Sequence, residues 1–293
     1  MLRCGLSCTF STQQIKFRNV TVKYLKKLSS SDAKAKLSSL VPENVAQLKL
    51  AIEYCASNAI GCFRINSQFL PLCSHPDFVY RIDDLDNSAE ILSQLEQSRL
   101  LAQEKDIRLT LHPDQFVVLN SPKEEVVQNS VAELEYQGYL ADLLGIDVVN
   151  IHGGGVYGDK EEALSRFRSN FARLPESVRS RLTLENDDKN YTPQDLLPVC
   201  MELKIPLVYD VHHHRCAKDG LSVDYATKKA LETWNREPLF HISSPIEGWD
   251  GPKPQRHHDY IDLTDFPDCW HDLPAVTIEV EAKAKEKAVF QLM

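Results

Sequence analysis

Eight short apolar runs, most of them separated by stretches with helical spacing, constrain this chain more than any other feature. They fall at residues 3–6, 61–65, 107–111, 146–151, 182–184, 206–210, 239–243 and 276–280. Helices are predicted at 42–58, 88–104, 123–144, 161–173, 192–203 and 222–234. Val45, Leu48 and Ile52 share one face behind Pro42, Ser88 is expected to cap the second helix, and Gly145 closes the third. Residues 11–41 read as a polar, irregular connection long enough to carry a lid or binding segment. Strand–helix alternation of this kind predicts an α/β fold, a (β/α)8 TIM barrel with 1–293 as a single domain.

The runs end on chemistry. His112, His152, Glu185, Asp210, His241 and Glu281 each stand at or near the C-terminal end of a predicted strand. Barrel active sites form at that face, so residues far apart in sequence are expected to meet in one pocket. Imidazoles and carboxylates without thiolate suit zinc, manganese or iron. Glu185 and Glu281 have enough oxygens to bridge two ions each. Clustered ions serve in-line displacement at phosphorus, and the same ligand types serve sugar isomerases, so spacing leaves both open. In the stretch PLVYDVHHH (206–214), strand alternation sets Asp210 and His212 on one face. A histidine tract by itself would read as a solvated loop.

Three weaker features surround this set. Gly153, Gly154 and Gly155 either admit a phosphate to the backbone or form a tight turn, and no P-loop follows. Lys283, Lys285 and Lys287 follow Glu281 and either meet phosphates or begin an exposed helix. His75, in Ser-His-Pro, either adds an imidazole to the barrel mouth or turns a loop.

A net charge of −9 excludes a generally basic nucleic-acid coat but not a local basic groove. The eight cysteines are dispersed without CxxC spacing, which fits reduced thiols in a cytoplasmic protein. No run approaches membrane-spanning length and no secretory signal is evident.

At these residues the chain resembles the UV damage endonucleases, relatives of the endonuclease IV and xylose isomerase barrels. The carrying motifs are FRIN (63–66), SHP (74–76), HPDQF (112–116), IHGGG (151–155), LEND (184–187), YDVHHH (209–214), HISSP (241–245), RHHDY (256–260) and VEAK (280–283). They span nearly the whole chain. The resemblance implies a metal-dependent endonuclease that nicks double-stranded DNA immediately 5′ to photoproducts: cyclobutane pyrimidine dimers, 6-4 photoproducts and, in range, abasic sites. Cleavage would proceed by attack of a metal-activated hydroxide on the phosphodiester. The implied cofactors are two or three divalent ions, Mn2+ first, with Zn2+ or Mg2+ as alternatives. A first ion would take His112, His152 and Glu185; a second Glu185, Asp210, His241 and Glu281; a third His213 and His257, with His257 preferred over His258. Glu185, Asp210, His75 and Lys283 are the implied catalytic residues. Gln115 and Phe116 match a pair that wedges into the helix at the lesion. Arg64, Lys189, Lys253, Arg256 and Lys285 are the expected DNA contacts. A monomer with no membrane partner, used in a prokaryotic cytoplasm at the nucleoid, completes the expectation.

The chain departs from the family pattern at three positions. Leu239 stands where many relatives carry a lysine that can be carboxylated and act as a ligand, which leaves the third site poorer in ligands. Phe116 replaces the usual tyrosine of the wedge, and Leu6 replaces a tyrosine after the early glycine. Competing readings are an abasic-site endonuclease, a sugar isomerase on the same barrel, and a lesion-binding protein without catalysis.

Overall fold

In the computed structural model, which describes residues 2–293, eight parallel strands close into a barrel in chain order. They are β1 (Leu2–Ser7), β2 (Cys62–Ile65), β3 (Arg108–Leu111), β4 (Val149–His152), β5 (Leu182–Glu185), β6 (Leu207–Asp210), β7 (Leu239–Ile242) and β8 (Val276–Val280). Helices follow every strand except β7, whose connection to β8 carries two short 3-10 turns, Leu263–Asp265 and Asp268–Trp270. The fold is the expected (β/α)8 TIM barrel.

Side chains alternate along each strand, and this period of two sorts the barrel into faces. Leu109 and Leu111, Val149 and Ile151, Leu182 and Leu184, Tyr209, Phe240 and Ile278 point outward and are buried beneath the helices. The alternate positions line the interior in layers. Val148, Val208 and Leu239 form an apolar layer with Trp234 at its edge. Above it lies a polar layer of Arg64, Thr110, Asn150, Thr183 and Glu279, all buried. The topmost layer holds His112, His152, Glu185, Asp210, His241 and Glu281. Register fixes their relative heights: His152 pairs with Glu185, Asp210 with His241, and His241 with Glu279. Gly5 on β1 makes room for the middle layer, because a Cβ there would lie 3.0 Å from Cys62 Cβ and 3.1 Å from Glu279 Cγ.

The largest departure from expectation follows β1. Residues 11–41 are not irregular throughout. A 28-residue helix, Ser30–Ser57, begins well before Pro42 and runs through it. Ser29 caps it by accepting from the Asp32 backbone NH, and the Ala-, Leu- and Lys-rich turn that follows favours helix. An interior proline costs about 3 kcal/mol. Here the buried stripe Leu37, Val41, Val45, Leu48 and Ile52 continues on both sides of Pro42 and holds the helix together. The next helix, Ser88–Glu104, has Asn87 rather than Ser88 at its N-cap. All eight cysteines are free thiols. Among the described residues, no helix is long and apolar enough to cross a membrane.

Candidate metal centre

Glu185, the last residue of β5, is fully buried at the barrel axis and gathers four imidazoles around one carboxylate. His112 Nε2 lies 3.1 Å and His152 Nε2 3.9 Å from Oε2, while His241 Nδ1 lies 3.0 Å and His213 Nδ1 3.4 Å from Oε1. Asn150 donates to Oε2 from below and is itself held by the Thr183 hydroxyl. Around this centre, three groups bring their ligand atoms within 4.8 Å of one another: His112, His152 and Glu185; His112, His241 and Glu281; and Glu185, Asp210 and His213.

The residues fit a divalent metal. His112 Nδ1, His152 Nδ1 and Asp210 Oδ2 are buried and have no hydrogen-bond partner among the described residues. Orphaned polar atoms of this kind call for an explanation, and an ion is one. Burial disfavours the charged carboxyl of Glu185, yet His241 and His152, with hydrogen bonds from His112 and His213, hold it well below the usual carboxylate range. Burial pushes the His152 imidazole down to about 4, keeping it in the neutral form that ligates metals. At His241 burial acts the same way, but Glu185, with Glu279 assisting, prevails and raises the imidazole to about 10.

The histidine tract resolves into three roles. β6 ends at Asp210, and a six-residue helix, Val211–Cys216, starts at once, so strand alternation no longer applies. Asp210 caps that helix by accepting from the His213 backbone NH at 2.7 Å. The turn brings His213 round to the cluster, and its Nδ1 sits 3.0 Å from the Asn186 carbonyl. His214 faces away, bonded to the Tyr209 hydroxyl at 2.7 Å and to Asp219 at 2.9 Å. His212 is buried against Trp249 and His257, and neither ring nitrogen has a hydrogen-bond partner among the described residues. His257 Nδ1 is 3.9 Å from Glu281 Oε2 and its ring lies near His213, whereas the His258 ring turns to the Tyr260 backbone.

Glu279 and the true position of Arg64 escaped sequence reading. Arg64, expected to contact DNA, is buried: its guanidinium pairs with Glu279, lies 2.6 Å from Glu281 and is 3.1 Å from His241 Nε2. It is an interior residue because β2 alternation points it at the axis. Glu279 also receives the Thr110 hydroxyl and lies 3.2 Å from His241 Nε2. Burial opposes its ionisation, but Arg64 and His241 hold its carboxyl down to about 2. The signal was available, since Glu279 stands two residues before Glu281 and shares its face. Leu239, two residues before His241, fills the apolar layer beneath. A second carboxylate, Glu279 on the neighbouring strand, stands one layer higher, level with His241.

Around the mouth, Phe116 is 76% exposed and held outward by an Asp114 turn in which the carboxylate accepts from the Phe116 NH. Gln115 is exposed beside it. Both line a groove of about 630 Å³ whose floor includes His152 and His213 and whose far wall carries Asp188 and Lys189. The glycine loop after β4 forms its edge: Gly154 has φ +86°, and Asn120 donates to the Gly153 and Gly155 carbonyls. Phe116 also lines a second pocket of about 490 Å³ that contains Ser74, His75, Asp114 and Glu133. His75 belongs there, with its ring against Phe78, and is absent from the three ligand groups. Lys283, Lys253 and Arg256 are exposed, and Lys285 is half-exposed with φ +57°.

The family described as UV-endonuclease UvdE matches residues 3–293. A UV DNA damage endonuclease of Bacillus velezensis is 34% identical over 281 residues, 91% of this chain and 84% of that protein. The solved structure of SacUVDE superposes with a TM-score of 0.87 at 32% identity, over 99% of this chain and 96% of that one. Endonuclease IV from Thermus thermophilus has a TM-score of 0.61 at 17% identity, over 99% and 96% of the two chains, and shares the barrel.

Proposed function

The chain belongs to the UV-endonuclease UvdE family, and on that premise we propose that it is a divalent-metal-dependent repair endonuclease. It nicks one strand of double-stranded DNA immediately 5′ to cyclobutane dimers and 6-4 photoproducts, with residues 1–293 acting as one unit. The observation that carries this reading is the placement of an exposed aromatic wedge, Phe116, on the rim of the groove that leads to the Glu185 cluster.

His112, His152, Glu185, Asp210, His213, His241 and Glu281 would hold the ions, with His257 at the periphery. When bound, divalent ions supply a nucleophile at neutral pH and neutralise charge on the phosphodiester. The chain's own residues set the geometry for that chemistry. Asn150 and Thr183 fix the Glu185 carboxylate, and Arg64 with Glu279 fixes His241 and Glu281. Phe116 and Gln115 fill the space vacated by the lesion. A photodimer pairs and stacks poorly, so extruding it costs less than the few kcal/mol of an intact step. Lys189, Lys253, Arg256, Lys283 and Lys285 surround the mouth as phosphate contacts. Manganese is the first ion to test.

Purified protein with Mn2+ should convert ultraviolet-irradiated supercoiled plasmid to nicked circles and leave unirradiated plasmid supercoiled. Equal cutting of both plasmids would remove lesion specificity. Preference for abasic over photodimer oligonucleotides would assign the abasic-site reading instead.

A further inference from the structure

The first 31 residues contain six Lys or Arg and no Asp or Glu, in a chain whose net charge is −9. Five of the six, Lys16, Arg18, Lys23, Lys26 and Lys27, fall between the end of β1 and the long helix, and all five are exposed. This segment leaves β1 at its C-terminal end, the face that carries the metal centre. We infer that it is a cationic rim that grips the DNA backbone beside the wedge. The inference rests on the proposed DNA substrate and adds a contact surface to it.

Two anchors place the rim. At its start, the Ser11 and Thr12 backbone NH groups donate to the Glu286 carboxylate at 2.8 and 2.7 Å, five residues beyond the cluster's Glu281. At its end, Lys26 Nζ reaches Asp77 at 2.6 Å, in the same loop as His75. His75 and Phe116 line one pocket. The segment therefore runs along the mouth from the β8 side of the centre to the wedge side.

Between the anchors the backbone is clipped down while the charged side chains stay free. Asn44 accepts from the Arg18 NH at 2.6 Å and donates to the Arg18 carbonyl at 2.9 Å, and Gln47 accepts from the Lys16 NH at 3.0 Å. Phe10 and Phe17 stack on Phe63, and Phe17 also packs on Phe69. Lys16, Lys23 and Lys27 have no ion-pair partner among the described residues, and Arg18 has only a 3.8 Å approach to Glu43. Unpaired cations on an ordered backbone suit a polyanion that presents one charge per ~1.7 Å of axis. They also offset the carboxylates of the centre, which would otherwise repel a phosphate backbone.

The test is the salt dependence of duplex binding, measured by fluorescence anisotropy in Ca2+ to prevent cleavage. The variant Lys16→Gln/Lys23→Gln/Lys27→Gln is compared with wild type and with a control, Lys49→Gln/Lys105→Gln/Lys228→Gln, altered on outer helices and the opposite end of the barrel. The rim variant should reduce the slope of log K against log salt by about 2.7, at ~0.9 for each of three phosphate contacts. It should weaken binding of photodamaged and intact duplex alike by roughly tenfold or more at physiological salt. An unchanged slope, or an equal loss in the control, overturns the rim. A wild type that binds duplex through the rim yet nicks no irradiated DNA would sink the endonuclease reading and leave the rim standing.

Discussion

At Glu279 the chain buries a second carboxylate beneath the cluster, held by Arg64, Thr110 and His241. Removing one partner of a buried ion pair leaves the other charge uncompensated, which costs about 3 kcal/mol or more. Glu279→Gln should therefore lower the free energy of urea unfolding by about 3 kcal/mol at pH 7. Because the folded carboxyl is depressed to about 2, its contribution is complete above the unfolded value near ~4.3 and is lost as pH falls from there towards 2. The stability gap between wild type and variant should close over that window; a gap that persists at low pH would contradict the pairing. The histidine tract makes a second residue-scale prediction. His213→Ala should impair nicking far more than His212→Ala, since only His213 lies within 3.5 Å of Glu185 and Asp210. The reverse ranking would overturn the assignment.

Among the elements, strands were legible where helices were less so. Each β-strand ends within a few residues of its sequence-based boundary, because apolar runs buried on both faces have nowhere else to go. The ligands at strand ends were legible for the same reason, as the barrel converges them whatever the loops do. Pro42 misled because proline at a first turn is the commoner case, and only tertiary packing of Leu37 and Val41 reveals a helix that passes through it. Arg64 is expected at a DNA contact for its charge, but position 64 shares a face with Cys62 at the axis. Asp210 and His212 were paired on strand alternation, and the helix at Val211 broke that pattern. The β3–α corner carries its own prediction. Phe116 is mostly exposed, so Phe116→Ala should leave thermal stability unchanged while weakening binding to photodamaged duplex by about 1–3 kcal/mol, the range for one base–aromatic stack. A loss of stability without a loss of binding would make Phe116 a packing residue.

Across the whole molecule, an acidic chain is read as acting on an acidic polymer. The barrel mouth gathers the carboxylates of Glu185, Asp210 and Glu281, where divalent ions would neutralise them, and Lys16, Lys23 and Lys27 stand exposed on the segment after β1. Mn2+ at 100 times its dissociation constant should stabilise the fold by about 2.7 kcal/mol, seen as a raised melting temperature that chelation reverses. The most direct measurement is incision of a 5′-labelled duplex oligonucleotide with one cyclobutane dimer at a defined position, with Mn2+, by wild type and by Glu185→Gln. The account predicts a single product ending immediately 5′ to the dimer with wild type, and none with the folded Glu185→Gln protein. Incision elsewhere, or undiminished incision without the Glu185 carboxylate, would contradict it.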